Sequence, residues 1–165
     1  MVREVQSLSK AWALEVMAKK TKTIAKEVDD VAKLMQKLVR LKAADDNGYV
    51  KCCTCGVVRL WNDRMQGAHF IGRGKLATKL HCSTEGQVMI ENCHPACASC
   101  NQWAHKTTLG ILEYRRYMVG MYGEDAVDEL EALSRTIKKY TRDEVADIKA
   151  DFLKQIKFHS ERIGC

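Results

Sequence analysis

Two C-x-x-C pairs constrain this chain more than any other feature of its sequence. The first pair is Cys52 and Cys55, and the second is Cys97 and Cys100. A two-residue spacer lets one tight turn present two sulfurs to a single ion, and Zn²⁺ binds four thiolates tetrahedrally. We therefore predict one structural zinc per chain, held by these four cysteines. A zinc with four sulfurs has no open coordination position, so any catalysis needs a second centre.

The other cysteines do not share this spacing. Cys53 lies inside the first pair, and its use as a ligand would break the two-residue spacer. Cys82 and Cys93 are most simply small buried residues. Together with His81 and His94 they also offer the side chains for a second metal site, and the sequence leaves both interpretations open.

Hydrophobic periodicity predicts a long helix over 21–44. Its apolar residues repeat at spacings of four, three, four and three, at Ile24, Val28, Val31, Met35 and Leu38. Such a stripe faces a packing partner. The partner is either the rest of the chain or the same helix of a second copy, which would make a homodimer. A shorter helix is predicted upstream, around Leu8, Trp12 and Val16.

The middle of the chain changes to short β-prone runs broken by turn residues. Strands are predicted at 49–50, 57–61 and 68–71. We interpret 71–92 as a loop with a short strand at 87–90. Helical spacing returns after Cys100, and Thr141 with Glu144 has the form of a capping box that begins the last helix.

These elements predict an α+β fold that is mainly helical, with a small zinc-stapled core flanked by helices. With 165 residues, of which 46% are hydrophobic, the chain can bury a core. The predicted organisation is an N-terminal helical segment (1–47), the stapled core (48–110) and a C-terminal helical segment (111–165).

The net charge of +6 is concentrated near the cysteines. Residues 48–107 carry seven Lys and Arg against three Asp and Glu, together with four of the five histidines. A basic, histidine-rich centre suits a phosphate-bearing partner such as DNA, whereas the alternative is an ordinary solvated surface. The candidate DNA contacts are Arg64, Arg73, Lys75, Lys79 and Lys106.

Residues 1–25 contain no apolar run followed by a small-residue cleavage site. No apolar run approaches the ~20 residues needed to cross a bilayer. We therefore expect a cytoplasmic protein without a membrane partner.

Around the cysteines the sequence resembles the zinc-containing HNH nucleases, including phage endonuclease VII-type junction resolvases and phage-lambda NinG/Rap-type recombination proteins. The resemblance runs from about Tyr49 to Leu133. The matching pieces are Cys-Cys-Thr-Cys-Gly, Ala-His-Phe-Ile-Gly-Arg, Asn-Cys-His-Pro-Ala-Cys-Ala-Ser-Cys-Asn-Gln and Met-Tyr-Gly-Glu-Asp-Ala-Val-Asp-Glu-Leu. It implies a ββα-metal core that hydrolyses phosphodiester bonds in branched DNA, such as Holliday junctions or D-loops. It also implies a catalytic Mg²⁺ or Mn²⁺ and a phage protein that acts in the bacterial cytoplasm.

The resemblance assigns roles residue by residue. It makes His69 the general base, because a histidine side chain titrates near neutral pH. It makes Asn101 a ligand of the catalytic Mg²⁺ or Mn²⁺, which prefers oxygen. Asn92 would orient the loop that carries the base. His94 is a further candidate as a metal ligand, a phosphate contact or a backbone hydrogen-bonding residue.

One position departs from the pattern. Many HNH enzymes carry an Asp or His metal ligand directly before the base, and here Ala68 stands there. Asp63 and His94 are candidates to replace that ligand. Because of this departure, a non-catalytic zinc-dependent DNA-binding accessory protein is the main alternative, and a zinc-stabilised protein-interaction domain is a third.

Overall fold

A computed structural model of the protein describes residues 22–84, 89–104 and 106–165. The helix predicted around Leu8, Trp12 and Val16 lies outside the described residues, as does His105.

The predicted long helix forms as α1, Ile24–Lys42. It begins at Thr23, whose hydroxyl accepts a hydrogen bond from the backbone N–H of Lys26. From Val28 to Leu38 its apolar stripe is buried inside the same chain, since Val31 and Met35 are at most 1% exposed, whereas Ile24 at its start is exposed. The stripe packs on the C-terminal helix and on the second hairpin. The intramolecular interpretation therefore holds for this stripe, which is not an exposed surface for a second copy.

The strands form two antiparallel hairpins. The first pairs β1 (Tyr49–Lys51) with β2 (Val58–Leu60). The second pairs β3 (Met65–His69) with β4 (Cys93–Cys97), and it sets Ala68 opposite His94.

The second hairpin corrects two sequence predictions. Its first strand ends at His69 rather than beginning at Ala68, and its second strand lies at 93–97. Of the strand predicted at 87–90, Met89 and Ile90 belong to no strand, and Gln87 and Val88 lie outside the described residues. Pro95 concealed the second strand, because proline cannot donate to a sheet ladder. Among the described strands, β4 pairs with β3 alone, and the carbonyl of Pro95 accepts from the N–H of Cys53 at 2.9 Å.

Helices make up most of the remainder. A four-residue helix, α2, interrupts the predicted loop, and α3 follows β4 directly; three longer helices complete the described chain. Their bounds are α2 Leu76–Lys79, α3 Ala98–Ala104, α4 Thr108–Tyr122, α5 Glu124–Leu133 and α6 Arg142–Arg162. The predicted capping box begins α6, with Thr141 and Glu144 each bonding the backbone N–H of the other.

The core consists of two buried apolar clusters on either side of the second hairpin. One joins α1 and α6 and contains Cys82 and Cys93. The other joins β1 and the second hairpin to α4 and α5, and Trp61 packs against both. This mixed fold, mainly helical with two small sheets and a four-cysteine cluster, confirms the predicted fold class. Within the described ranges, the helices are too short or too polar to cross a bilayer.

Candidate functional site

The fold brings the four predicted cysteines together. Their sulfur atoms all lie within 4.8 Å of one another. Cys52 and Cys55 lie in the turn between β1 and β2, Cys97 ends β4, and Cys100 lies in α3. Four thiols at this separation match the donor set of a structural zinc site, so the cluster can hold a structural metal ion such as zinc.

Two sulfur atoms of the cluster accept hydrogen bonds from backbone N–H groups. The N–H of Cys97 donates to Sγ of Cys52 at 3.3 Å, and the N–H of Cys100 donates to Sγ of Cys97 at 3.5 Å. A hydrogen bond from the Cys53 thiol, followed by bonds from backbone N–H groups, lowers the pKa of Cys52 to about 3. Cys53 itself stands outside the cluster of four.

A cavity of about 430 Å³ opens beside the helix that carries Cys100. Helices α1 and α3, strand β3 and the loop after it contribute to its wall. The lining residues are Gln36, Gly67, His69, Gly72, Arg73, Asn101, Gln102 and Lys106. Two cations and three amides are among them, and this described lining includes no Asp or Glu. Its composition suits an anion such as a phosphate.

His69, the predicted base, ends β3 and is 3% exposed. Its Nε2 lies 3.1 Å from the carbonyl oxygen of Lys79. A carbonyl oxygen only accepts hydrogen bonds, so the ring nitrogen must be the donor. In a neutral imidazole, the proton is then on Nε2 and the basic lone pair is on Nδ1.

Asn92 holds the loop that follows His69. Its Oδ1 accepts from the N–H of Ile71 at 2.8 Å, and its Nδ2 donates to the carbonyls of Ile71 at 3.0 Å and Thr78 at 2.9 Å. The residue is fully buried. Asn92 thus bonds the backbone on both sides of this loop, and its role in orienting the base stays a prediction.

Asn101 reaches the same cavity from α3, one residue after Cys100 of the four-cysteine cluster. Its Nδ2 donates to Oε1 of Gln66 at 2.7 Å. Because the amide nitrogen makes this bond, Oδ1 is the atom with which Asn101 can meet a cation. The structure thus brings Asn101 and His69 to one cavity, although 31 positions separate them in the sequence.

His94 does not join them. Its Nε2 bonds the hydroxyl of Tyr122 at 2.9 Å, and its ring packs edge-on against Tyr114 and Tyr117. Burial lowers the pKa of His94 to about 4, so the ring is neutral at pH 7. Ala68, opposite it in the hairpin, is fully buried. Position 68 therefore faces α4 and the tyrosines rather than the cavity.

The predicted DNA contacts divide into three groups. Arg73 and Lys106 line the cavity. Arg64 and Lys75 are exposed but do not line it. Lys79 differs from the others, because its side chain is only 11% exposed and its Nζ lies 2.5 Å from Oδ1 of Asp29.

The other candidate ligands lie apart from the cavity. Asp63 pairs with Arg59 at 3.5 Å, and the ring of His81 bonds the carbonyl of Ile90 at 2.8 Å. With Cys82 and Cys93 in an apolar cluster, the second metal site considered from the sequence does not form among the described residues.

Sequence reasoning missed the contribution of α1. Gln36 reaches the cavity because α1 packs directly on β3 at Gly67. A glycine inside a strand often marks such a close approach of two backbones, so Gly67 was the available signal. Gln102 was also missed, although it adjoins Asn101 in the motif.

Comparison with protein families matches residues 4–161 to the family described as "Bacteriophage Lambda NinG protein". Comparisons with curated proteins and with solved structures gave no match. The family match confirms the NinG part of the sequence resemblance and extends it over nearly the whole chain.

Proposed function

The chain belongs to the bacteriophage lambda NinG family, and from that premise we propose that it is a metal-dependent DNA endonuclease of the HNH type. The observation that carries the proposal is the meeting of His69, Asn101, Arg73 and Lys106 around one cavity next to the four-cysteine centre. These side chains come from four different segments and match the functions of base, metal ligand and phosphate contacts.

His69 is the proposed general base. The carbonyl of Lys79 orients the ring and selects the tautomer in which Nδ1 carries the lone pair. In the proposed reaction, Nδ1 takes a proton from the water that attacks the scissile phosphorus. The P–O bond to the leaving oxygen then breaks, and that oxygen takes up a proton from solvent water, which gives a phosphate end and a hydroxyl end.

The cavity supplies oxygen ligands through amide side chains, above all Oδ1 of Asn101, which fits an ion of the Mg²⁺ or Mn²⁺ type. Such an ion, when bound, supplies charge stabilisation at the phosphorus and the leaving oxygen. Asn101 follows Cys100 directly in α3, so the zinc-binding turn also fixes the position of this ligand. Arg73 and Lys106 would bind the scissile or adjacent phosphates.

The substrate class and assembly follow from the family resemblance. We propose branched DNA, such as a Holliday junction or a D-loop, in phage recombination in the bacterial cytoplasm. A homodimer would allow paired nicks across a junction. Its interface must lie elsewhere than on the α1 stripe, which is buried within the chain. Light scattering tests the proposed homodimer. A monomer that still cleaves both strands of a junction would refute it.

Cleavage of labelled DNA tests the proposed activity. The purified protein is incubated with a four-way junction or a linear duplex in the presence of Mg²⁺, Mn²⁺ or EDTA. We expect metal-dependent cleavage of the junction and its loss in His69→Ala. Cleavage that persists in His69→Ala would refute the assignment of the base.

His81→Ala is the matched control. His81, like His69, bonds a backbone carbonyl through its ring, but it does not line the cavity. We expect this variant to cleave at the rate of the unmodified protein. Equal losses in both variants would indicate damage to the fold instead of loss of a base.

A second function is favoured by the composition of the cavity. The described lining contains cations and amides without a carboxylate, and Ala68 faces away from it. This arrangement suits a zinc-dependent protein that binds phosphates without cutting DNA. Tight binding of the junction, with no cleavage in any metal, would support this accessory function over the endonuclease.

A further inference from the structure

Lys79 connects two parts of the molecule through two different atoms. Its carbonyl oxygen accepts the hydrogen bond from Nε2 of His69 at 3.1 Å. Its ammonium lies 2.5 Å from Oδ1 of Asp29 in α1. One residue therefore links the proposed base to a helix that lies outside the cysteine-rich segment of the sequence.

The position of the Lys79 carbonyl depends on contacts between α2 and the rest of the protein. Lys79 ends α2, which has four residues and so little stability of its own. Two of the other three carbonyls of this helix accept hydrogen bonds from outside it, because Nδ2 of Asn92 donates to Thr78 at 2.9 Å and the hydroxyl of Tyr140 donates to Leu76 at 3.2 Å. The side chain of Lys79 adds a further contact, its ion pair with Asp29.

The surroundings hold the Lys79 side chain in place. It is 11% exposed, whereas the carboxylate of Asp29 is 53% exposed. The hydrogen bond from Lys79 and its positive charge hold the pKa of Asp29 below its ordinary value. Without that carboxylate, the ammonium at the end of this largely buried side chain would lose its opposite charge and would move towards water. The end of α2 would then move with it.

We propose that Asp29 and Lys79 form a positioning pair for His69, and that Lys79 acts through its carbonyl on the ring instead of binding DNA. The effect of this pair on DNA cleavage rests on the proposed function, whereas its effect on the orientation of the His69 ring does not.

The ring nitrogens of His69 provide the first test. We would measure their ¹⁵N chemical shifts by NMR in the zinc-loaded full chain, where a protonated Nε2 and an unprotonated Nδ1 are distinguishable. We expect the Nε2–H tautomer in the unmodified protein and a mixture of tautomers in Asp29→Asn and Lys79→Met. Lys79→Arg, which keeps the cation, should restore the single tautomer.

Asp30→Asn is the matched control for Asp29→Asn. It removes the same charge one position further along α1, where Asp30 pairs with Lys22 and Lys33. The ring of His69 should be unchanged in this variant. Circular dichroism and zinc content identify any variant that fails to fold, and Asp29→Asn is chosen because its half-exposed side chain can change without opening the core.

Cleavage kinetics separate positioning from DNA binding. A displaced base lowers kcat by on the order of tenfold to a hundredfold and leaves KM unchanged, because a misplacement of about 1 Å has effects of this size. If Lys79 instead contacted phosphate, Lys79→Met would raise KM and flatten the salt dependence, and Asp29→Asn would strengthen DNA binding.

The outcomes distinguish this inference from the proposed function. An unchanged His69 tautomer in both folded variants, or weaker DNA binding in Lys79→Met at unchanged kcat, would overturn the positioning pair. Absence of cleavage by the unmodified protein would overturn the endonuclease, while the NMR measurement would still decide whether the pair orients the ring.

Discussion

Gly67 and Gln36 lie in direct backbone contact. A Cβ atom added to Gly67 would be 2.6 Å from Cα of Gln36 and 2.8 Å from its Cβ. Helix α1 therefore packs on the bare backbone of β3, and no larger side chain fits between them. The contact also sets Gln36 in the wall of the cavity that contains His69.

We expect Gly67→Ala to be destabilising. An added methyl group must separate two backbones, and overpacking of this kind costs roughly 1–3 kcal/mol. Urea unfolding of the zinc-loaded protein measures the change. Gly120→Ala is the control, because nothing lies within 4 Å of its added Cβ and alanine favours the helix α4. A stability of Gly67→Ala equal to that of Gly120→Ala would contradict the close contact.

The close approach at Gly67 illustrates what the sequence could and could not predict. The two C-x-x-C spacings alone identified the four cysteines, because a two-residue spacer lets both sulfurs of a pair reach one zinc ion. The resemblance to the HNH nucleases singled out His69 and Asn101. Gln36 carries no local signal, since its place depends on how α1 packs on β3. Lys79 looked like a surface cation, and only the fold reveals that Asp29 covers it. Tertiary contacts, which local patterns do not encode, account for these differences.

Ala68→Asp tests whether position 68 belongs to the catalytic site. Ala68 is fully buried opposite His94. A carboxylate introduced there would be desolvated without a cationic partner, and we expect a loss of at least about 3 kcal/mol of stability with no gain in metal-dependent cleavage. Ala25→Asp, at an exposed position in the first turn of α1, should be nearly neutral. Higher activity in a folded Ala68→Asp protein would indicate that the side chain reaches the cavity after all.

The four-cysteine cluster predicts the effect of single thiol substitutions. Cys97→Ser removes a proposed ligand at the junction of β4 and α3, so we expect loss of bound zinc and loosening of the helix that carries Asn101. Metal content and thermal unfolding measure both effects. Cys53→Ser, one residue from a ligand but outside the cluster, should retain one zinc per chain. Loss of zinc from Cys53→Ser with retention in Cys97→Ser would reverse the assignment.

His94 should make the stability of the protein depend on pH. Burial lowers its pKa from an ordinary 6.5 to about 4 in the folded protein. Between pH 6.5 and pH 4 this residue binds more protons in the unfolded chain than in the folded protein. The stability that the neutral, buried ring contributes is therefore fully present above pH 6.5 and is lost as the pH falls towards 4. The difference corresponds to about 3 kcal/mol. Glu91 and Lys42 are the charged groups that influence the ring.

His94→Phe isolates this effect, because phenylalanine keeps an aromatic ring among the tyrosines and cannot titrate. Urea unfolding at several pH values gives the stability of both proteins. The unmodified protein should lose more stability than His94→Phe between pH 6.5 and pH 4. If the two proteins lost stability equally between pH 6.5 and pH 4, the protonation of His94 would have to be the same in the folded and the unfolded state.

The cations at the cavity predict how DNA binding responds to salt. Arg73 and Lys106 line the cavity, whereas Lys139 is exposed elsewhere. Each phosphate contact releases counterions, so Arg73→Ala and Lys106→Ala should each reduce the slope of log affinity against log salt by about 0.9. Lys139→Ala should leave the slope unchanged. Fluorescence anisotropy with a labelled junction in EDTA measures binding without cleavage. If all three variants had the slope of the unmodified protein, DNA would have to bind away from the cavity that contains His69.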